Sequence, residues 1–332
     1  MTGDLPAILG DVLGIPGLEW DRVAVARNIG PLLPSVELQG DLVANRGLCA
    51  VVGDRRGQPL WFCKVRPAHH ELFRHEAAIT AELASELAVT GVVPEARTAV
   101  AGSVAILATR WVPGHSLSRA LGSAGGAAWE RLAGRALAAG DAVRAVLSRR
   151  PVEGPMPGAA EGFATDLRLA TGRAEVDGDL QAALEGLPPR PQHGDFWPRN
   201  LRGTDSAWTV LDFERSGLET LPLHDVTFFL RAACPGAAPG HGVASAPGWA
   251  ARSAAGSRGR WFQAVLREAC EREELMPSQG AAAYIAGVAQ QAATFLRRGL
   301  AASRVDAQRR ELAASLEHWR TGRLAEFLFG SA

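Results

Sequence analysis

Short apolar runs broken by turn residues open the chain, and long runs with a helical period close it. Residues 36–43 (VELQGDLV), 48–53 (LCAVVG) and 59–66 (PLWFCKVR) are apolar and rich in strand-forming residues. The ANRG and DRRGQ stretches between them carry turn chemistry, so the pattern predicts three short strands in an antiparallel meander. Leu72, Ile79, Leu83 and Leu87 then recur at helical spacing through HHELFRHEAAITAELASELAVT. Residues 91–114 (GVVPEARTAVAGSVAILATRWVPG) hold two more strand-like runs around a Gly-Ser turn. Three strands, a helix and two strands make a small five-stranded lobe ending near Pro113-Gly114.

Beyond that point the period is helical. AAWERLAGRALAAGDAVRAVLSRR predicts a long amphipathic helix, and further helices are expected over 161–172, 261–274, 281–299 and 306–328. Between them, residues 191–214 (PQHGDFWPRNLRGTDSAWTVLDFE) predict a loop followed by short strands. Segment 232–260 is rich in Gly, Ala, Pro and Ser and reads as a long loop or insertion. The chain divides on this basis into an N-terminal lobe, 1–112, and a C-terminal lobe, 113–332.

Composition narrows the partners. The 332 residues carry a formal net charge of zero, which gives no reason to expect nucleic-acid or membrane-surface binding. Cys49, Cys63, Cys234 and Cys270 lie far apart, without C-x-x-C pairing, and are expected to be small buried apolar residues. MTGDLPAILGDVLG has no basic segment before an apolar run, and no run approaches the ~18 apolar residues of a membrane span. A cytoplasmic protein is expected.

One residue stands apart. Lysine and arginine together number 35, and Lys64 is the only lysine. Arginine replaces lysine freely on a solvated surface, but its planar fork does not reproduce a compact ammonium among phosphate oxygens. The bland alternative is a leftover surface residue. Downstream, 193–200 reads HGDFWPRN and 212–214 reads DFE. Asp195, Asn200 and Asp212 are oxygen donors in tight loops, the ligand type that Mg²⁺ prefers. An ammonium and such a set together suit phosphoryl transfer, where positioning and charge neutralisation supply most of the catalysis.

These residues resemble the aminoglycoside phosphotransferase/choline kinase family, small-molecule kinases related to protein kinases. The resemblance rests on His193-Gly194-Asp195, Asn200, Asp212-Phe213-Glu214, and Lys64 on a strand before a Glu-bearing helix, and covers roughly residues 36–230. It implies an α+β, bilobal protein-kinase-like fold, with a small N-terminal five-stranded antiparallel sheet plus one helix and a larger, mainly helical C-terminal lobe. It further implies ATP and Mg²⁺ as cofactors. Asp195 would accept or orient the proton of the acceptor hydroxyl. Asn200 and Asp212 would hold Mg²⁺, with Glu214 helping a second ion. Lys64 would contact the α/β-phosphates, held by Glu76, with Glu71 and Glu82 as alternatives. His193 and Asp225 would support the catalytic loop. The backbone of Thr109, Trp111 and Val112 would meet the adenine edge.

The family pattern is also broken. The loop GDLVANRG lacks G-x-G-x-x-G, so Asn45 and Arg46 approach the phosphates by position alone, and a plain hairpin turn is the equal alternative. Position 197 is Trp where related kinases carry a basic residue; Arg199 or Arg202 would supply that charge, or the ions suffice. Trp197 would then wall the acceptor pocket or simply pack. Ten residues separate Glu214 from Asp225, too few for a long activation loop, so a protein substrate is not expected. Segment 232–260 contains Arg252, Arg258 and Arg260 and no carboxylate. If it borders the acceptor, with Trp249 as a stacking surface, a neutral or anionic molecule fits better than a polycationic aminoglycoside. A tether without substrate role is the alternative. The expectation is a kinase for a hydroxyl of an antibiotic, nucleoside-type natural product or sugar. A metabolic sugar or amino-alcohol kinase and a catalytically silent nucleotide-binding module are the competing readings.

Overall fold

The computed structural model describes residues 5–25, 48–150, 159–172, 176–204, 206–233, 257–299 and 302–329. The expected strand 36–43, Asn45, Arg46, Cys234, Trp249, Arg252 and residues 234–256 of segment 232–260 lie outside these. Two compact units emerge: Met1–His115 with Arg202–Arg215, and Ser116–Leu201 with Ser216–Ala332. Where the sequence pattern cuts the chain once, between 112 and 113, the structure returns Arg202–Arg215 to the first unit.

The first unit begins with helix α1 (Leu5–Leu13), followed by strands β1 (Val23–Val25), β2 (Leu48–Gly53) and β3 (Pro59–Pro67). Helix α2 (Glu71–Leu87) and strands β4 (Ala96–Ala101) and β5 (Val104–Arg110) complete it, together with a short hairpin, β6 (Leu201–Thr204) and β7 (Ala207–Val210). The main sheet has five antiparallel strands in the order β1-β2-β3-β5-β4. Its edge position beside β2 is filled by Val23–Val25, a strand too short to show a period, with Val23 opposite Val52.

Alternation along β3 decides which chemistry faces which layer. Trp61, Cys63 and Val65 point into a core with Leu9, Leu13, Leu48, Ile106 and Ala108. Lys64, opposite Leu107, therefore faces the other way, toward the layer where Phe73 of α2 packs on Ala105 and Leu107. His70 caps α2, its Nδ1 accepting from Phe73 N at 3.2 Å. The buried stripe of α2 runs through Phe73, Glu76, Ile79, Thr80, Leu83 and Ala84, while Leu72 is 59% exposed. Of the residues that set the helical spacing, Ile79 and Leu83 lie on this stripe as expected, whereas Leu72 is exposed and Phe73 takes its place beside the buried carboxylate of Glu76.

The second unit is helical: α3 (Leu117–Ser123), α4 (Gly126–Leu147), α5 (Ala159–Thr171), α6 (Gly178–Glu185), α7 (His224–Ala233), α8 (Ser257–Arg272), α9 (Pro277–Arg297), α10 (Ala302–Arg320) and α11 (Leu324–Phe329). The helix expected over 306–328 is in fact two, turning at Thr321-Gly322, where Arg323 N returns to His318 O at 2.9 Å. The alanine-rich α9 is buried on most sides and packs against α5, α6, α7, α10 and α11. Small side chains let its neighbours approach closely. Tyr284 belongs to this interior, donating to Glu311 at 2.5 Å. Cys49, Cys63 and Cys270 are buried free thiols. No described helix is long and apolar enough to cross a membrane.

Candidate active site

Within the first unit, Lys64 Nζ donates to Glu76 Oε1 at 2.5 Å and to Asp212 Oδ1 at 2.9 Å. Glu76 lies one helical turn after Phe73, so the contact that seats α2 on the sheet also brings this carboxylate over Lys64. Glu71 is exposed at the start of the helix. Burial disfavours the ammonium, but Asp212 and Glu76 outweigh it and hold the lysine above its ordinary range. Burial pushes the Glu76 carboxyl up, against the pull of Lys64; Asp212 and Glu214 push the same way. One cation shared by several carboxylates leaves an excess of negative charge, an environment that attracts a further cation.

Asp212 sits at φ 67°, a left-handed conformation that a non-glycine residue adopts only when its surroundings hold it there. Two anchors do so: the Lys64 bond and Phe213, which is 2% exposed. The hairpin before it is tied to the same unit. Val210 N donates to Val92 O at 2.8 Å and Thr209 Oγ1 to Gly91 O at 2.7 Å. Gly114, at φ 94°, lies so close to the hairpin that a Cβ there would meet Gly203 O at 2.0 Å.

In the second unit, Asp225 occupies the first turn of α7, almost fully buried, and accepts from His193 N at 2.6 Å and Gly194 N at 2.9 Å. His193 Nδ1 in turn accepts from Asp195 N at 3.2 Å, and its carbonyl accepts from Ser216 at 3.2 Å. Asn200 Nδ2 donates to the Asp195 carbonyl at 3.0 Å and to its Oδ2 at 2.9 Å. That fixes the amide so that its oxygen is the atom left for a cation. Asp212 likewise gives Oδ1 to Lys64 and retains Oδ2. An amide oxygen and a carboxylate oxygen are ligands suited to Mg²⁺. Among the described residues, no group of three His, Cys, Asp or Glu side chains could hold a metal by itself.

Two neighbours of these loops, Gln192 and Phe228, were not legible in the sequence, nor was the role of Arg202. Gln192 accepts from Asp225 N at 3.3 Å, bracing the clamp from behind. Phe228 stacks on Trp197, centroids 5.8 Å apart and planes within 5°, and the Arg199 guanidinium lies over the same indole, 5.1 Å from its centroid. Arg202 donates to Val112 O at 2.7 Å and Gly114 O at 3.0 Å and lies over Trp111 at 5.0 Å. Its guanidinium is therefore a strut for the 109–114 segment. Within that segment Trp111 N also donates to Leu60 O at 2.8 Å, and Thr109 Oγ1 reaches Phe62 O at 3.4 Å.

Residues 49–262, more than half of the sequence, match the phosphotransferase enzyme family, APH. The chain belongs to that family and is a phosphotransferase. Among solved structures it is similar to macrolide 2'-phosphotransferase MphH from Brachybacterium faecium, at 16% identity over 91% of this chain and 97% of that one, TM-score 0.47. It is also similar to APH(2")-IIa in its streptomycin–ATP ternary complex, at 10% identity, 99% and 98% coverage and TM-score 0.48. A third is the spectinomycin phosphotransferase APH(9)-Ia with ADP and spectinomycin, at 10% identity, 92% of each chain and TM-score 0.42. No curated protein matches the sequence.

Proposed function

We propose that the protein moves the γ-phosphate of ATP, with Mg²⁺, to a hydroxyl of a small neutral or anionic molecule such as an antibiotic, a nucleoside-type natural product or a sugar. The observation that carries this reading is the Lys64 ammonium held between Glu76 at 2.5 Å and Asp212 at 2.9 Å in a chain of the phosphotransferase family. A compact cation clamped in this way is set to meet the α/β-phosphates without rearranging. The adenine edge meets the 109–112 backbone through the Trp111 carbonyl and the Val112 amide, since the Trp111 amide and the Val112 carbonyl are engaged.

Asp195 is the proton acceptor. Its carboxylate is oriented by Asn200, and the loop around it is fixed by Asp225 through His193 and Gly194. As the acceptor oxygen bonds to the γ-phosphorus, the bond to the bridging oxygen breaks, ADP leaves, and the hydroxyl proton passes to Asp195. Asn200 and Asp212, assisted by Glu214, are the residues that would hold Mg²⁺, which when bound neutralises charge on the phosphates. The stacked Trp197 and Phe228 offer a flat apolar wall two residues from Asp195, and Arg199 is the cation nearest it in sequence. A flat wall with an adjoining arginine fits a neutral or anionic acceptor better than a polycation.

The test is ADP release over a panel of hydroxylated natural products and sugars, read beside nucleotide binding. Asp195→Ala should lower turnover by about 100-fold or more while nucleotide affinity stays within a factor of two or three. Comparable turnover in the variant removes Asp195 from its role. Nucleotide binding without turnover on any acceptor would favour the catalytically silent module.

A further inference from the structure

We infer that the helical unit carries a second binding site, for a small phosphate-bearing dianion, on the side of α4 and the C-terminal end of α8. A cavity of about 540 Å³ opens there, a volume within the range of small-molecule sites. Arg144, Arg150, Arg190 and Arg272 line it together with Asp141 and Glu273. Four positive and two negative charges leave a lining of formal charge +2.

The carboxylates do more than offset the arginines. Arg144, 8% exposed, donates to Glu273 Oε1 at 3.1 Å and to Asp141. Arg190 gives only its Nε to Glu273, at 2.9 Å, and Arg272 gives Nη1 to Asp141, at 2.7 Å. The two acids therefore fix three guanidinium planes, while the Nη groups of Arg190, a side chain 39% exposed, make no hydrogen bond among the described residues. Arginines held in place by carboxylates form a preorganised fork, and a fork is the donor geometry that phosphate oxygens take up in pairs. Pro189, Pro191 and Ala145 supply apolar walls for whatever carries the phosphate.

The site also reaches the catalytic loop by covalent and hydrogen-bonded steps. Gln192 lines the cavity; its Nε2 donates to Arg190 O at 3.2 Å and its Oε1 accepts from Asp225 N at 3.3 Å. Asp225 is the residue that clamps His193 and Gly194. An anion that fixes Arg190 thus also steadies the support behind Asp195.

Hydrogen–deuterium exchange on the wild-type chain, with and without inorganic pyrophosphate at matched ionic strength, tests this by location. The expected result is added protection in peptides covering 141–150, 189–192 and 268–273, separate from any footprint on 60–76 or 195–214. The double variant R190Q/R272Q should lose the first footprint, with at least a tenfold weaker half-saturation, and keep the second. Absence of the first footprint in the wild type overturns the site. So does the same footprint with chloride alone, or its persistence in a folded double variant. The wild-type map decides by itself if that variant does not fold, and because it reads no turnover it is independent of the catalytic proposal.

Discussion

At the scale of single residues, the question is why one lysine persists where arginine serves everywhere else. Lys64 sits 19% exposed between two carboxylates, its Nζ at hydrogen-bond distance from both. A guanidinium keeps the charge but spreads it over a plane wider than this gap, so Lys64→Arg must displace Glu76 or Asp212, or the phosphate that the proposed function sets against the ammonium. The expected outcome is a loss of kcat/KM of at least tenfold, about 1.4 kcal/mol of transition-state stabilisation. Steady-state ADP release checks it, with a thermal melt to show that the fold survives. Wild-type kinetics in that variant would mean that the lone lysine is an accident of composition. The residues of this cluster were legible because their types and spacing carry chemistry on their own. Gln192, Phe228 and the strut role of Arg202 were not, since each is defined by a partner that only the folded chain brings near.

At the scale of elements, long periodic helices were legible to within a few residues, while α1, α3, α6, α7 and β1 escaped. Short elements offer too few turns or alternations for a period to emerge, and β1 spans only three residues. In α2 the expected Ile79 and Leu83 are buried and Leu72 is exposed, because the stripe runs instead through Phe73 and a buried carboxylate, Glu76, which an apolar pattern does not mark. Helix α4 shows what sequence alone misjudges about a glycine. At Gly134 an added Cβ meets nothing within 4 Å, whereas at Gly140 it would lie 2.6 Å from the Phe196 ring. Phe196 follows Asp195, is 1% exposed, and is wedged between Phe229 at 5.4 Å and His193 at 6.0 Å, so the ring has nowhere to go. Alanine for glycine in a helix gains about 1 kcal/mol from backbone entropy, and overpacking costs about 1–3 kcal/mol. Gly134→Ala should therefore raise the melting temperature and Gly140→Ala should lower it. Gly140→Ala should also reduce kcat by shifting the loop that bears Asp195. Denaturation curves of the pair settle the sign, and a stabilised Gly140→Ala would show that the ring is not confined.

At the scale of the whole molecule, the unusual charge inventory makes alkaline stability a readout of buried thiols. With one lysine and one tyrosine in the chain, few ordinary groups titrate above pH 9, and the arginines remain charged throughout. Burial pushes the Cys63 and Cys270 thiols from their ordinary 9.0 up to about 12, and raises Cys49 against the pull of Arg66. Cys63 lies in the core beneath the five-stranded sheet and Cys270 in α8, so both units carry the effect. The unfolded chain loses its thiol protons near pH 9 and the native chain only near 12. Between those values the native state binds more protons, and raising the pH favours unfolding. The stabilisation is complete below pH 9 and declines as the pH climbs toward 12. Lys64, held above its ordinary range, acts with the same sign from pH 10.5 upward. Each buried thiol should contribute a slope of about 1.4 kcal/mol per pH unit. Urea unfolding at pH 8.5, 9.5 and 10.5 should show midpoints falling at the two higher values. Cys63→Ala and Cys270→Ala, whatever they do to stability at pH 8.5, should each flatten the decline by about one proton's worth. A flat profile, or one that neither variant changes, would mean that the thiols are less enclosed than the two cores make them.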